Sequence, residues 1–146
     1  MNIEEIMTKN PAKCTVETSL HDVAQMMADN DCGCIPVVET DDSSQPIGTI
    51  TDRDIVLRTV AHNKNPLTMI VGEVMTDAPI TATADTTIED ACTTMEKNHI
   101  RRLLVVDDNG DLCGILAQAD VALSAPEAET AHLVKEVSAS ALKATA

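Results

Sequence analysis

The stretch CIPVVETDDSSQPIGTITDRD, residues 34–54, contains two short apolar runs separated by a polar loop. The runs CIPVV and IGTIT are rich in β-branched residues, and the loop between them is rich in Asp and Ser. This pattern is typical of two neighbouring strands joined as a hairpin. The polar segment TDRD then leads into the apolar run IVL, which indicates a helix that begins near Asp54.

The same pattern returns in RLLVVDDNGDLCGILAQAD, residues 102–120, so the chain contains one unit twice. Ahead of the strands the two copies match at an offset of 68 residues. The offset falls to 66 after the hairpin loop, because that loop is shorter in the second copy. The matching pairs are Met7 with Met75, Pro11 with Pro79, Thr15 with Thr83, Met27 with Met95, Gly48 with Gly114, and Asp54 with Asp120.

An amphipathic helix is predicted ahead of the strands in each copy. Apolar residues recur there at the spacing i, i+3, i+4, i+7, which places them on one face of a helix. A Ser or Thr with an Asp three residues later precedes each apolar stripe, as at a helix N-terminus. The stripes are Leu20, Val23, Ala24 and Met27, then Ile88, Ala91, Cys92 and Met95; the capping pairs are Ser19 with Asp22 and Thr87 with Asp90.

Each copy therefore reads as an extended lead-in, a helix, two strands and a second helix, in a mixed α/β (α+β) fold. Two such copies are expected to pack about a pseudo-twofold axis, with related clefts where they meet. After Pro126, Leu133, Val134 and Val137 recur at helical spacing and predict one further helix that docks on the module or on a partner. The predicted boundaries are 1–61 for the first copy, 62–70 for a linker, 71–124 for the second copy and 125–146 for the helical tail.

Composition excludes several classes of protein. The 146 residues carry a formal charge of -14, which repels nucleic acid and anionic lipid. No apolar run reaches the roughly 18 residues of a membrane span, and the start MNIEEIM lacks the features of a secretory signal, so we expect a cytoplasmic protein. The cysteines are odd in number and have apolar neighbours, which favours reduced, buried thiols over a disulfide framework. They are Cys14, Cys32, Cys34, Cys92 and Cys113.

The pairing of IPVV with GTITDRD, repeated as LLVV with GILAQAD, resembles a tandem pair of CBS domains, the Bateman module. The resemblance covers residues 1 to 124. It implies two pseudo-symmetric β-α-β-β-α repeats with a regulatory role and no catalytic one. It also implies a module that binds adenosine nucleotides such as AMP, ADP or ATP, needs no other cofactor, forms homodimers through its helices and signals to a separate regulated protein.

The resemblance also implies roles for individual residues. The Asp that ends each T-x-x-D would accept hydrogen bonds from the two ribose hydroxyls, because an ionised carboxylate is an acceptor only. The helix that starts there would direct amide donors toward a phosphate. Adenine would lie against the first strand of a repeat, and arginines would reach the phosphate. The nucleotide-binding residues implied in this way are Thr15, Cys34, Ile35, Pro36, Thr51, Arg53, Asp54, Thr83, Arg101, Arg102, Leu103, Leu104 and Asp120.

A structural alternative exists for the T-x-x-D residues. Thr51 and Asp54 also satisfy the spacing of a capping box, which would only close a helix start. In the second copy Ala117 replaces the Thr and has no capping hydroxyl, yet Asp120 stands at the equivalent place. That retained Asp favours a ligand role, although both interpretations stay open at this point.

A second functional alternative is a thiol- or zinc-responsive protein. In a strand, Cys32 and Cys34 would point to the same face. Two thiols are fewer than the four ligands of a structural zinc site, so further ligands would have to come from elsewhere. An enzyme is disfavoured because the chain has five glycines, no phosphate-binding glycine loop and no recognisable nucleophile motif.

Overall fold

The computed structural model of the chain describes the main chain of residues 1–124 and 127–145, with the side chains of these except 129 and 140–145. The strands are β1 (Thr8–Lys9), β2 (Cys14–Thr15), β3 (Cys34–Val38), β4 (Pro46–Thr51), β5 (Thr76–Asp77), β6 (Thr81–Thr83), β7 (Arg102–Val106) and β8 (Leu112–Ala117). The α-helices are α1 (Leu20–Asp29), α2 (Asp52–Arg58), α3 (Ile88–Asn98), α4 (Gln118–Ser124) and α5 (Glu127–Thr145). Short 3-10 helices are Ile3–Glu5, Val60–His62, Pro66–Thr68 and Val71–Glu73.

The strands form two sheets of four, with the orders β1-β8-β7-β6 and β2-β3-β4-β5. The predicted hairpin of β3 and β4 is antiparallel, with Ile35 opposite Ile50 and Pro36 opposite Thr49. A parallel strand from the lead-in flanks each hairpin, β2 beside β3 and β6 beside β7. Each sheet therefore has the same internal order, as expected for a duplicated unit.

One of the two edge strands of each sheet comes from the other sequence repeat. Antiparallel pairing places β5 beside β4, and β1 beside β8. The contacts accordingly divide the chain into two compact units in which the first parts of the two lead-ins are exchanged. Unit 1 contains residues 1–10, 80–109 and 113–146, whereas unit 2 contains residues 11–79 and 110–112.

The predicted helices ahead of the strands are α1 and α3. Ser19 accepts a hydrogen bond from N–H of Asp22 at 3.1 Å, and Thr87 accepts one from N–H of Asp90 at 3.1 Å, as the N-cap pattern predicts. All four predicted core positions of α3 are buried. In α1 the prediction was wrong for Ala24, which is exposed. Cys92, the equivalent residue of α3, is buried in a core that also contains Leu133 and Val137 of α5.

Each unit has its own apolar core. In unit 2, side chains of α1, β3 and β4 pack with Val71 and Val74 from the second lead-in. In unit 1, side chains of α3, α4, β7 and β8 pack with Ile3 from the first lead-in. The docking of α5 on the module is confirmed, because Leu133 and Val137 are buried in the core of unit 1, although Val134 is exposed. Pro126, the predicted start of this helix, lies outside the described residues.

Candidate functional site

Thr51 and Asp54 form a complete capping box at the start of α2. The N–H of Asp54 donates to Oγ1 of Thr51 at 3.0 Å, and the N–H of Thr51 donates to Oδ2 of Asp54 at 3.1 Å. Thr51 is the last residue of β4 and Asp54 is in the first turn of the helix, so the box fixes the direction in which α2 leaves the sheet. The capping box, which was the structural alternative to a ligand role for Thr51 and Asp54, is therefore present.

The Asp54 carboxylate has further neighbours that the sequence patterns did not identify. Oγ1 of Thr76 on β5 lies 3.5 Å from Oδ2, and Nη2 of Arg58 lies 3.7 Å from Oδ1. Arg58 also donates through Nη1 to the carbonyl oxygens of Val74 and Met75, at 2.7 and 2.9 Å. The i, i+4 spacing of Asp54 and Arg58 is a sequence signal for the ion pair. Contacts with the second lead-in carry no such local signal.

The amide donors expected to face a phosphate at the start of α2 are hydrogen-bonded within the protein. Asp52 N donates to the carbonyl oxygen of Gly33 at 3.1 Å, and Arg53 N donates to Oδ1 of Asp52 at 2.9 Å. The amide of Asp54 is used in the capping box. The expectation of a phosphate held by these three amides is therefore wrong. The Arg53 side chain, in contrast, is exposed.

Asp120 makes half of the same box at the start of α4. The N–H of Ala117 donates to Oδ2 of Asp120 at 2.8 Å, while Ala117 has no hydroxyl with which to return the bond. The second Asp thus also holds its own main chain, so its retention without a Thr is not by itself evidence of a ligand role. The residue four positions after Asp120 is Ser124, which is uncharged, whereas the residue four positions after Asp54 is Arg58.

The predicted adenine strands are largely buried. The side chains of Ile35 and Leu103 belong to the cores of their own units, so only their main chains remain for contact with a ligand. Cys34, Pro36 and Leu104 alternate with these core residues and point to the opposite face of each sheet. All three are also buried.

The two predicted arginines of the second repeat lie at the start of β7. Arg102 is the first residue of the strand and is half-buried, and Arg101 immediately before it is exposed. The carbonyl oxygen of Arg101 accepts a hydrogen bond from N–H of Gln118, the first residue of α4, at 2.9 Å. This bond holds the start of β7 next to the helix that contains Asp120.

Thr15 and Thr83 are the last residues of β2 and β6, and each begins an equivalent turn. Oγ1 of Thr15 lies 3.3 Å from Oγ1 of Thr18, and Oγ1 of Thr83 lies 3.3 Å from Oγ1 of Thr86. Thr15 is half-buried, whereas Thr83 is exposed and donates to Asp85. Both hydroxyls therefore already have hydrogen-bond partners in their own turns.

The sequence profile of the CBS domain matches the chain twice, over residues 3–60 and 71–126. The chain belongs to the CBS domain family. The CBS domain-containing protein YhcV of Bacillus subtilis is 35% identical over 130 residues, which cover 89% of this chain and 89% of YhcV. A protein of Methanopyrus kandleri is 35% identical over 117 residues, which cover 80% of this chain but only 56% of that protein.

Solved CBS structures share this architecture. The CBS domain protein PAE2072 from Pyrobaculum aerophilum, complexed with AMP, is 27% identical with a TM-score of 0.73, covering 92% of this chain and 99% of that one. The CBS domain pair of MJ0100, in complex with 5′-methylthioadenosine and S-adenosyl-L-methionine, is 26% identical with a TM-score of 0.74, covering 84% and 98%. Hypoxic Response Protein I, with two coordinated zinc ions, is 28% identical with a TM-score of 0.75, covering 86% and 100%. The predicted tandem CBS pair and its mixed α+β fold are confirmed.

The cysteines of the CBS repeats lie mainly in or beside the cores. Cys34 is buried in β3, whereas Cys32 precedes the strand and packs against the core of unit 2. The expectation that both lie on one face of a strand is therefore wrong, because the strand begins only at Cys34. Within residues 1–124 and the described part of 127–145, no three His, Cys, Asp or Glu side chains are grouped so that they could hold a metal ion. In the same residues, no helix is long and apolar enough to cross a membrane.

Proposed function

We propose that this CBS pair is a regulatory module that binds an adenosine-containing ligand, with an Asp of the T-x-x-D position as the acceptor for the ribose hydroxyls. The observation that carries the proposal is the equivalent placement of Asp54 and Asp120. Each is half-buried at the start of the helix after the hairpin, and each gives one oxygen, Oδ2, to its own main chain. The other oxygen of each carboxylate lies outside that main-chain bond.

The relatives that hold AMP, or 5′-methylthioadenosine and S-adenosyl-L-methionine, support an adenosine ligand for this chain as well. Their shared chemical group is the adenine nucleoside, so the nucleoside is the part that we assign to the site. The group attached to the nucleoside differs among these ligands and is not assigned. AMP, ADP, ATP and S-adenosylmethionine are therefore all candidate ligands.

The remaining residues of the proposed site are those that the resemblance to CBS domains implies. Cys34, Pro36 and Leu104 supply aliphatic and sulfur surface for adenine, which the chain needs because it has no aromatic residue. Arg53, Arg101 and Arg102 are the proposed phosphate contacts, since a guanidinium can pair with two phosphate oxygens at once. Main-chain groups at Ile35 and Leu103 read the edge of the base, and the hydroxyls of Thr15, Thr51 and Thr83 border the ligand.

Signalling requires that the ligand bind one conformation of the module more tightly than another. The change would be read by a regulated protein whose affinity depends on that conformation. The role is regulatory, and the chemistry proposed for these residues is binding alone. Neither a zinc nor a redox function is proposed, because the cysteine arrangement favours neither.

Thermal unfolding with AMP, ATP and S-adenosylmethionine tests the proposal, because a ligand selective for the folded state raises the melting temperature Tm. The lack of Phe, Tyr and Trp adds a second readout. The purified protein absorbs very little near 260 nm, so a co-purified adenine compound is visible directly in the spectrum. No change in Tm and no heat on titration with any of the three ligands would refute the proposal.

We also propose that the protein forms homodimers through its helices. Apolar side chains are exposed on α2 and just after it, at Val56, Leu57 and Val60, and Leu123 is exposed at the equivalent place on α4. Burial of such side chains against a second copy would remove apolar surface from water. Light scattering should report a dimer for the wild type and a monomer for Leu57→Glu. Leu67→Glu, at another exposed leucine, is the control and should remain dimeric.

A further inference from the structure

We infer that Asp120 is the ribose acceptor of this protein and that Arg58 prevents Asp54 from taking the same role. The inference rests on the proposed function, because it concerns which of the two equivalent carboxylates receives the nucleoside. It predicts one ligand for each chain rather than two. The inference follows from the different contacts of the Asp54 and Asp120 carboxylates.

Asp54 has less acceptor capacity left than Asp120. Its Oδ2 faces two donors, N–H of Thr51 at 3.1 Å and Oγ1 of Thr76 at 3.5 Å. Its Oδ1 faces the guanidinium of Arg58, with Nη2 at 3.7 Å. A vicinal diol presents two hydroxyl donors side by side, which pair best with the two oxygens of one carboxylate. At Asp54 those oxygens already serve three groups of the protein.

Arg58 is held in place by more than the ion pair. A salt bridge of a half-exposed arginine is weak by itself, and the Arg58 side chain is 46% exposed. However, Nη1 donates to the carbonyl oxygens of Val74 and Met75 at 2.7 and 2.9 Å. A ligand would therefore have to compete with a cation that two main-chain carbonyls hold beside Asp54.

Asp120 lacks both of these neighbours. Throughout the described residues, its carboxylate accepts one hydrogen bond, at Oδ2 from N–H of Ala117 at 2.8 Å. The i+4 position on α4 is Ser124, which is uncharged and exposed. The Oδ1 atom and a second lone pair on Oδ2 can therefore accept from a diol. Position 117 is also Ala rather than Thr, so no side-chain hydroxyl from that position lies beside the Asp120 carboxylate.

Isothermal titration calorimetry on the full chain tests the inference with whichever of AMP, ATP and S-adenosylmethionine raises the wild-type Tm most. Asp120→Asn should weaken binding by about tenfold or more, whereas Asp54→Asn should change the dissociation constant by less than about threefold. The Asn side chain keeps an oxygen that can accept the main-chain bond, so both variants preserve the helix start. Ser124→Arg places a cation four positions after Asp120, as Arg58 stands four positions after Asp54. This variant should weaken binding about tenfold.

Arg58→Ser is the reciprocal variant and should raise the stoichiometry from one ligand to two for each chain. If that variant unfolds, Ser124→Arg still decides the question, because Ser124 lies on the surface. Equal losses for Asp54→Asn and Asp120→Asn, two sites in the wild type, or unchanged binding by Ser124→Arg would each overturn the inference while leaving the proposed function intact. Failure of the wild type to bind any of the three ligands would overturn both.

Discussion

Nδ1 of His132 on α5 lies 2.9 Å from Oε1 of Glu96 on α3. The hydrogen bond to Glu96, together with the charge of that carboxylate, raises the pKa of His132, and Glu136 acts in the same direction. Burial and Lys135 act against the shift. The contact therefore stabilises the docked α5 most when the imidazole is protonated.

The raised pKa predicts a pH-dependent contribution of His132 to stability. The contribution is complete below about 6.5, the ordinary histidine pKa, and disappears as the pH rises through the raised folded-state pKa. His132→Ala should therefore unfold at a lower Tm than the wild type in acid, and the two should converge in base. The difference should be small, because the His132 side chain is 63% exposed.

Thermal unfolding of the two proteins between about pH 5 and pH 9 measures this convergence. His62→Ala is the control, because His62 is exposed on the 3-10 helix Val60–His62. A wild-type advantage that stays constant across the range would contradict the prediction, since it would come from packing or helix propensity.

The docking of α5 predicts unequal effects for two adjacent side chains. Leu133 is fully buried in the core of unit 1, whereas Val134 is 37% exposed. Leu133→Ala should lower the free energy of unfolding by about 2–5 kcal/mol, because it leaves a cavity. Val134→Ala should change it by less than about 1 kcal/mol. Urea unfolding of both variants checks this, and equal losses would show that α5 does not pack as described.

The order of elements in each repeat could be predicted because each element carries its own periodic signal. The stripe Ile88, Ala91, Cys92 and Met95 is buried as expected, and the hairpin strands lie at the apolar runs. The exchange of lead-ins between units could not be predicted. The strands that make it, Thr8–Lys9 and Thr76–Asp77, are two residues long and exposed, so they show no alternation.

At the candidate site, too, the sequence predicted contacts between residues that are close in the chain but not those between distant residues. The capping geometry of Thr51 and Asp54 follows from their spacing, and it is present. The anchoring of Arg58 by Val74 and Met75 joins residues 16 and 17 positions apart, and it depends on where the second lead-in packs. A sequence pattern identifies the residues of such a site but not which of their atoms are already bonded.

Three of the five cysteines should differ in reactivity in the folded protein. Burial, with a further contribution from Cys34, raises the pKa of Cys14 to about 12, so it is almost wholly protonated at neutral pH. Burial, Asp107 and Glu4 also raise the pKa of Cys113, although that residue is half-buried. In timed alkylation with iodoacetamide, Cys32 should react first, Cys113 more slowly and Cys14 last.

Peptide mapping by mass spectrometry measures the order of alkylation, and the same reaction in guanidinium chloride is its control. Unfolding removes the burial, so the three cysteines should then react at similar rates. Alkylation of Cys14 as fast as Cys32 in the native protein would show that β2 opens far more often than its buried packing indicates.

The matched glycines Gly48 and Gly114 should respond differently to Ala. A Cβ atom at Gly48 would overlap the main-chain oxygen of Thr76 and the end of the Met75 side chain. At Gly114 the three nearest atoms all belong to the Met7 side chain, which is flexible and can move. Gly48→Ala should cost about 1–3 kcal/mol, and Gly114→Ala less than about 1 kcal/mol. Urea unfolding decides, and a larger loss for Gly114→Ala would contradict the prediction.

The incomplete capping box of α4 predicts a stabilising substitution. The N–H of Ala117 already donates to Oδ2 of Asp120, so the main chain there has the geometry that Thr51 and Asp54 share. Ala117→Thr would add the hydroxyl that accepts from N–H of Asp120. It should raise the free energy of unfolding by about 0.5–1 kcal/mol, whereas Thr51→Ala should lower it by about 1 kcal/mol.

Urea unfolding midpoints with unchanged slopes would measure the two shifts in free energy. The variants are reciprocal: each repeat receives the residue of the other, which makes each variant the control of its partner. If Ala117→Thr instead lowers stability while Thr51→Ala behaves as expected, the hydroxyl at position 117 does not reach N–H of Asp120. In that case the two helix starts are not equivalent, even though both Asp side chains hold their main chains.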